Sequence, residues 1–475
     1  MISILDNRNN RIKCQKFTPD QLVQTMLDLA GYSTQLMGKT VLENSFGSGN
    51  ILKAIVTRYI ESALKQGIDK DAISRGLSED VYGVELDNEL FNHCIGELNS
   101  IVKEYELPIV NWKLYNDNAL TKTFGIKFDY IIGNPPYISY RELDHETRKA
   151  LKDSFESCKK GKFDYCYAFI ELGIGLLNDQ GKMVQLVPNN IYKNVFAQEL
   201  RSILSDHITR VYDYPNQKLF DKTLTSISIF LYDKEVSSER VFYKNATNNT
   251  EITIDRKALT GKWVFENYSP KEEKAIRFGD RFHASIAIAT LCNKAFLVDQ
   301  DEVSEEKIEQ GAIRKAVSPK TLRYGNNKYI LFPYKYDNDT ILRYSQEEYE
   351  RLFPNAIAHL KRFTDDLEAR DSDRNAAWFE YGRSQALTHL NKEKLLISTI
   401  ITKKVEVYKV DAETIPYSGI FITAQNNEYT IDDAMEILKS NVFLDYVQRI
   451  GISISGQSLR ITCKDVNNFM FIGEK

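Results

Sequence analysis

Asn134-Pro135-Pro136-Tyr137 follows the apolar run Phe128-Asp129-Tyr130-Ile131-Ile132-Gly133, and these residue types in this order suit one chemical task. An exocyclic amine conjugated to an aromatic ring is a poor nucleophile because its lone pair is delocalised into the ring. The Asn134 side-chain oxygen and the Pro135 carbonyl can each accept one N–H bond, drawing the nitrogen toward a tetrahedral geometry with its lone pair aimed at a methyl donor. Pro135 and Pro136 fix φ through the turn, and Tyr137 offers a flat face to the ring. The competing reading is a Pro-Pro turn that ends a buried strand.

A donor site needs its own residues. Glu43-Asn44-Ser45-Phe46-Gly47-Ser48-Gly49-Asn50 leads into the apolar helical stretch Ile51–Val56, a strand, Gly-rich turn and helix N-terminus of the kind that forms ligand-binding edges. Gly47 and Gly49 let the backbone approach a ligand, and Glu43 is placed to attract an ammonium group. The turn is neither a full GxGxxG nor a Walker loop. Glu85, at the end of Val81–Glu85, is a candidate for ribose hydroxyls, with a helix N-terminal acid near Asp87 as the alternative. Asp117 follows the next apolar run and can accept from an adenine amino group, or serve as a turn former or N-cap.

The elements that must position these residues are readable from apolar, β-branched runs. Thr40–Glu43, Val81–Glu85, Asn111–Leu114, Phe128–Ile132, Met183–Val187, Arg210–Tyr214 and Ser226–Leu231 alternate with helical patterns, which predicts an α/β fold with a mostly parallel seven-stranded sheet. Only Pro215–Thr225 separates the last two runs, so they are expected to pair antiparallel as a hairpin at the sheet edge. The polar stretch Asn245–Thr250 reads as a break. The expected organisation is a catalytic domain over 1–245, a linker over 246–265 and a second domain over 266–475.

With 475 residues the chain can hold two or three domains, and its 43% hydrophobic and 27% charged content is that of a globular protein. No apolar stretch has the length of a membrane span, and the start lacks a basic leader followed by an apolar run, so a cytoplasmic location is expected. The six cysteines are scattered without CxxC or His/Cys clusters, so no metal is expected. A net charge of −4 leaves any nucleic-acid contact to local patches.

Gly turn, two strand-end acids and Asn-Pro-Pro-Tyr fall in order along the first 235 or so residues, and the set resembles the S-adenosylmethionine-dependent DNA adenine-N6 methyltransferases. Lys16–Val23 is similar to the family's amino-terminal cofactor motif, in which Thr18-Pro19 opens a helix and contacts the methionine part of the donor; locally, Thr18 suits an N-cap and Pro19 a first helical turn. The resemblance implies a Rossmann-like methyltransferase domain in which Glu43 holds the donor's amino end, Glu85 its ribose and Asp117 its adenine. It also implies that Phe169 lines the adenine pocket, where a core phenylalanine is the alternative. Asn118 stands where the family often has an aromatic. Phe220 looks like the aromatic that stacks on an extruded base opposite Tyr137, with a plug under the hairpin as the alternative. Only Asn118–Gly133 separates Asp117 from Asn134, so the recognition region must be carboxy-terminal, as in the gamma class.

In the second half, basic residues interleave with aromatics: Arg314-Lys315, Arg323-Tyr324, and later Arg374, Trp378, Tyr381 and Arg383. Such side chains can neutralise phosphates and stack on bases, although salt-bridged surface helices account for part of the pattern. Phe353–Ile357, Leu367–Arg370 and Trp378–Arg383 loosely resemble specificity domains, which implies a mixed α+β DNA-recognition domain. The expected partners are double-stranded DNA and, as a candidate, a cognate restriction endonuclease. Two other readings stand beside this one: methylation of a protein glutamine amide, and a DNA-binding specificity subunit with a vestigial cofactor site.

Overall fold

The computed structural model describes residues 18–220, 223–237, 239–266, 275–326, 328–337, 340–426, 428–454 and 458–473; within these, the side chains of 216, 218–220 and 223–225 are excluded. The chain divides into a unit ending at Tyr268 and another beginning at Ser269.

In the first unit the apolar runs become β1 (Val41–Glu43), β2 (Val81–Glu85), β3 (Lys113–Asn116), β4 (Phe128–Gly133), β5 (Leu177–Pro188), β6 (Ile208–Phe220), β7 (Thr223–Asp233), β8 (Arg240–Asn245) and β9 (Thr250–Asp255). They form one nine-stranded sheet in the order β3-β2-β1-β4-β5-β7-β6-β8-β9. Neighbours from β3 through β5 pair parallel, while β7 runs antiparallel between β5 and β6.

Helices α1 (Asp20–Ala30), α2 (Asn50–Lys65), α3 (Lys70–Asp80) and α4 (Asn88–Glu104) contribute to one core with Val41, Ile132 and Val184. Helix α5 (His145–Ser154) and helix α6 (Cys166–Leu176) contribute to a second core with Ile131 and Met183. Adjacent residues such as Ile131 and Ile132 thus feed opposite cores. That is why the central strands read as continuous apolar runs rather than alternating ones.

Three sequence expectations are corrected. The sheet has nine strands rather than seven, and the β6–β7 hairpin is internal, because β8 pairs parallel with β6 and β9 antiparallel with β8. The stretch Asn245–Thr250 is a hairpin turn, in which the Thr247 and Asn248 N–H groups donate to Asn245 Oδ1 at 2.9 and 3.4 Å; polar composition served a tight turn and not a domain break. Residues 246–265 therefore belong to the first unit. Trp263 stacks on Tyr192 and Phe265 on Tyr243, with centroids 6.1 and 4.7 Å apart.

The second unit is mixed α+β. It holds an antiparallel four-stranded sheet of Phe282–Ile286, Ile420–Ala424, Lys394–Ile397 and Val407–Val410, a second four-stranded sheet, and short helices. Helix Gln300–Glu305 begins at a capping box between Asp299 and Glu302. Among the described residues no helix is long and apolar enough to cross a membrane.

Candidate active site

Strand order reverses at β1 and β4, and the crevice beyond their carboxyl ends is where open α/β sheets hold ligands. Thr18, Glu43, Gly47, Glu85, Asp117, Phe169 and the turn from Asn134 to Tyr137 all line one pocket there. Pro19 and Gly49 are not among its lining residues.

The two glycines have different jobs. Gly47 has φ +53°, and a Cβ built on it meets nothing within 4 Å, so its bare backbone faces open pocket. Gly49 has φ +82°, and a Cβ there would overlap Cys94 Sγ on α4. It serves helix packing rather than ligand approach, which corrects the reading of Gly49. A Gly49→Ala variant is expected to lose about 2–4 kcal/mol of unfolding free energy, from left-handed backbone strain plus the clash. Urea denaturation checks this, and an unchanged midpoint would refute it.

The strand-end acids differ in burial. Glu43 is 2% exposed and its Oε2 has no hydrogen-bond partner among the described residues. Burial, then the charge of Glu85, holds its carboxyl well above the usual carboxylate range. Glu85 accepts from the N–H of Gly47 (Oε2, 2.8 Å) and of Asp87 (Oε1, 2.8 Å), fixing its orientation and leaving lone pairs on each oxygen. Burial still raises its carboxyl, against the opposing pull of those N–H groups. Asp87 is the helix N-terminal acid, capping α4 through Glu89 N and Leu90 N, so Glu85 is released from that role. Asp117, half-exposed, accepts from Asn118 N at 2.8 Å and lies 3.6 Å from Lys122 Nζ.

At the end of β4, Asn134 Nδ2 donates to Thr18 Oγ1 at 3.1 Å. Thr18 is not the N-cap: Pro19 takes that position and no side chain caps α1. The Thr18 hydroxyl instead orients the Asn134 amide, a correction that transfers its contribution from the helix to the site. The Tyr137 hydroxyl lies 2.6 Å from Asn134 Oδ1 and 2.7 Å from the Leu186 carbonyl. With one proton and two acceptors it can donate to only one of them at a time. Phe169 is 5% exposed, packs edge-on against Tyr165 with centroids 5.2 Å apart, and also lines the pocket, so core and pocket wall are the same ring. The Phe220 side chain lies outside the described residues.

Sequence reasoning missed Asn44, Ser45 and Tyr165, which also line the pocket. Ser45 Oγ donates to the Asn134 carbonyl at 3.3 Å, and the Asn44 amide lies buried with its Oδ1 lacking a partner among the described residues. For Asn44 and Ser45 the only signal was adjacency to Glu43 in a polar turn.

Of the second-unit candidates, Tyr381 is corrected outright. It is fully buried, its hydroxyl donates to the Leu331 carbonyl at 2.7 Å, and its ring packs on Phe296 and Tyr334, so it cannot reach a nucleic acid. Arg314 pairs with Glu413, Arg323 with Glu406, and Arg383 with Asp371 and Asp373. Trp378 Nε1 donates to Gln346 at 3.3 Å. Lys315, Tyr324 and Arg374 are exposed.

A pocket of this kind at this edge of a doubly wound sheet belongs to the class of open α/β folds that hold a cofactor there, and S-adenosylmethionine, a methyl donor, is the group to test against it. Residues 53–220 match the family described as Eco57I restriction-modification methylase. Over 94% of its length the chain is 22% identical to the type II methyltransferase M.BstVI of Geobacillus stearothermophilus, covering 87% of that protein. It is 23% identical to the type II restriction enzyme and methyltransferase RM.Eco57I of Escherichia coli, but spans only 36% of it. In fold it is similar to the type IIL restriction-modification enzyme MmeI in complex with DNA, with a TM-score of 0.62 at 14% identity over 97% of this chain and 67% of that one.

The residues fit the donor. A buried carboxylate oxygen without a partner suits an ammonium group, a preoriented carboxylate suits vicinal hydroxyls, and a bare glycine backbone leaves room beside them.

Proposed function

We propose that this chain is a site-specific DNA adenine-N6 methyltransferase, the modification arm of a restriction-modification system. The observation that carries the reading is the shared pocket, which places Asn134-Pro135-Pro136-Tyr137 beside Glu43, Glu85 and Asp117. S-adenosylmethionine supplies a methyl group made electrophilic by its sulfonium. Asn134 Oδ1 and the Pro135 carbonyl accept the two N–H bonds of a flipped adenine, and Thr18 holds the Asn134 amide so that oxygen, not nitrogen, faces the amine. The amine nitrogen forms the new N–C bond as the S–C bond breaks, and water or the carbonyl acceptors take the proton released. Tyr137 supplies one face of the base pocket.

DNA is the favoured substrate over a glutamine amide because a second unit with exposed basic residues accompanies the catalytic one. The buried Glu43 Oε2, without a hydrogen-bond partner among the described residues, disfavours a vestigial donor site. Incubation of the purified chain with tritiated donor and unmethylated genomic DNA, followed by nucleoside analysis, is expected to yield N6-methyladenine. Label confined to protein would favour the glutamine reading, and absence of donor binding would favour a specificity subunit.

Lys315, Tyr324 and Arg374 form the DNA contact set that remains available in the second unit. Arg374→Ala is expected to weaken binding across sequences and to lower the salt slope of log K by about 1, as for one lost phosphate contact. Titrations at several salt concentrations check this; an unchanged slope removes Arg374 from the interface.

A further inference from the structure

We infer that Asp164 is a positioning residue that locks the Asn134-to-Tyr137 turn onto the helix carrying Phe169, an inference that rests on the methyltransferase reading above. Ile138 leaves the turn directly after Tyr137, and its N–H donates to the Asp164 carboxylate. The Cys166 N–H, at the first residue of α6, donates to Asp164 Oδ1 at 3.1 Å. The Cys166 thiol bonds to the same carboxylate. One side chain therefore ties the exit of the amine-binding turn to the start of the helix that forms the pocket's aromatic wall. Backbone pairing extends the junction: Ser139 and Asp164 form an antiparallel bridge, and Tyr165 N donates to the Ile138 carbonyl at 3.0 Å. Ile138 and Tyr165, each 3% exposed, line the pocket themselves.

Several donors converge on Asp164, and only its ionised form accepts them all, since a protonated carboxyl gives up an acceptor site and adds a donor. Burial pushes this carboxyl up to about 6, with the nearby charge of Glu142 adding to the effect. Glu142 in the loop after the turn, Tyr137 within it, Cys158 in the short turn before α6, and Cys166 and Tyr167 on α6 interact electrostatically with it. None of these is a cation, so only the hydrogen bonds from Cys166 and Ile138 oppose the effect of burial. Acidification through about pH 6 should then loosen the turn while the donor acids, on other strands, keep their own titration.

The test is steady-state methylation of unmethylated genomic DNA by the full chain across about pH 5–8.5, with donor saturating at each pH. Wild type is expected to show an acid limb in kcat with a midpoint near 6. Asp164→Asn is expected to lower kcat about tenfold at alkaline pH and to abolish that limb, with the donor KM within about threefold. Asp164→Glu, which keeps a carboxylate, should retain a limb. An unaltered limb in the Asn variant overturns the proposal, as does a loss explained wholly by a smaller folded fraction. If the Asn variant does not fold, a wild-type profile flat between about pH 5 and 7 overturns it. No methyl transfer by wild type at any pH overturns the methyltransferase reading instead, so the two failures are distinguishable.

Discussion

An Asn134→Ala chain is expected to transfer methyl groups about a thousandfold more slowly than wild type, while binding S-adenosylmethionine within about threefold of it. The side chain contributes to the chemistry through one oxygen. Without Oδ1 the amine keeps one N–H bond to the Pro135 carbonyl and its lone pair remains conjugated with the ring. The proposed donor contacts lie on other strand ends: Glu43 closes β1, Glu85 closes β2 and Asp117 follows β3. Removing Asn134 also frees the Thr18 hydroxyl, which lies 3.1 Å from its Nδ2, but leaves those acids in place. Single-turnover methylation alongside calorimetric donor titration separates the two quantities. A parallel loss of donor affinity would show that Asn134 belongs to the donor site and would sink its role at the amine.

Glu43→Gln is expected to lower donor affinity about a hundredfold, near 2.7 kcal/mol, as when one partner of a buried charge pair is neutralised. The same substitution is expected to stabilise the free protein. The raised carboxyl of Glu43 means that the folded chain binds a proton there at pH values where the unfolded chain has released it. Stability of the free protein therefore falls as pH rises from the ordinary carboxylate range through the raised value, and glutamine removes that loss. Donor affinity runs the opposite way, rising with pH as the carboxylate ionises, and binding should release a proton detectable by calorimetry in buffers of different ionisation enthalpy. Equal melting temperatures for both free proteins at alkaline pH, together with unaltered donor affinity, would show that Glu43 neither carries a buried charge nor faces the donor.

The opposing effects at Glu43 illustrate a general relation between site and fold. A buried carboxylate with one oxygen left without a partner destabilises the free chain and becomes useful when a cation arrives. Asp164 shares only the cost of burial, which raises its carboxyl; unlike Glu43 Oε2 it is met by several hydrogen-bond donors within the chain.

Much of the first unit was legible because burial on both faces imposes continuous apolar runs, and all seven expected strands exist. Strands β8 and β9 were missed as sheet members. The β9 sequence Thr-Glu-Ile-Thr-Ile-Asp is mostly polar with only Ile254 buried, as befits an edge strand, and the turn between them resembles a linker in composition. The acids and the Asn-Pro-Pro-Tyr turn were legible because strand ends of a parallel sheet converge on one edge whatever their sequence separation. Gly49 was misread, since a glycine's spacing does not say whether ligand or helix occupies the space beside it. In the second unit, charge and aromatic content were legible but their use was not: Tyr381 fills a core and Arg383 pairs with two aspartates.

By itself the sequence determined the class of fold and the kinds of chemical group available, because residue type and strand-end position suffice for both. Only the tertiary structure decided which groups meet. Thr18 reaches Asn134 across 116 positions, and the carboxylate of Asp164 joins the exit of the Asn134-to-Tyr137 turn to the first residue of α6. Burial separated Glu43 from the more exposed Asp117 and Tyr381 from Arg374. Contacts and desolvation depend on distances between elements remote in the chain, and those distances come from the packing of the two cores against the sheet.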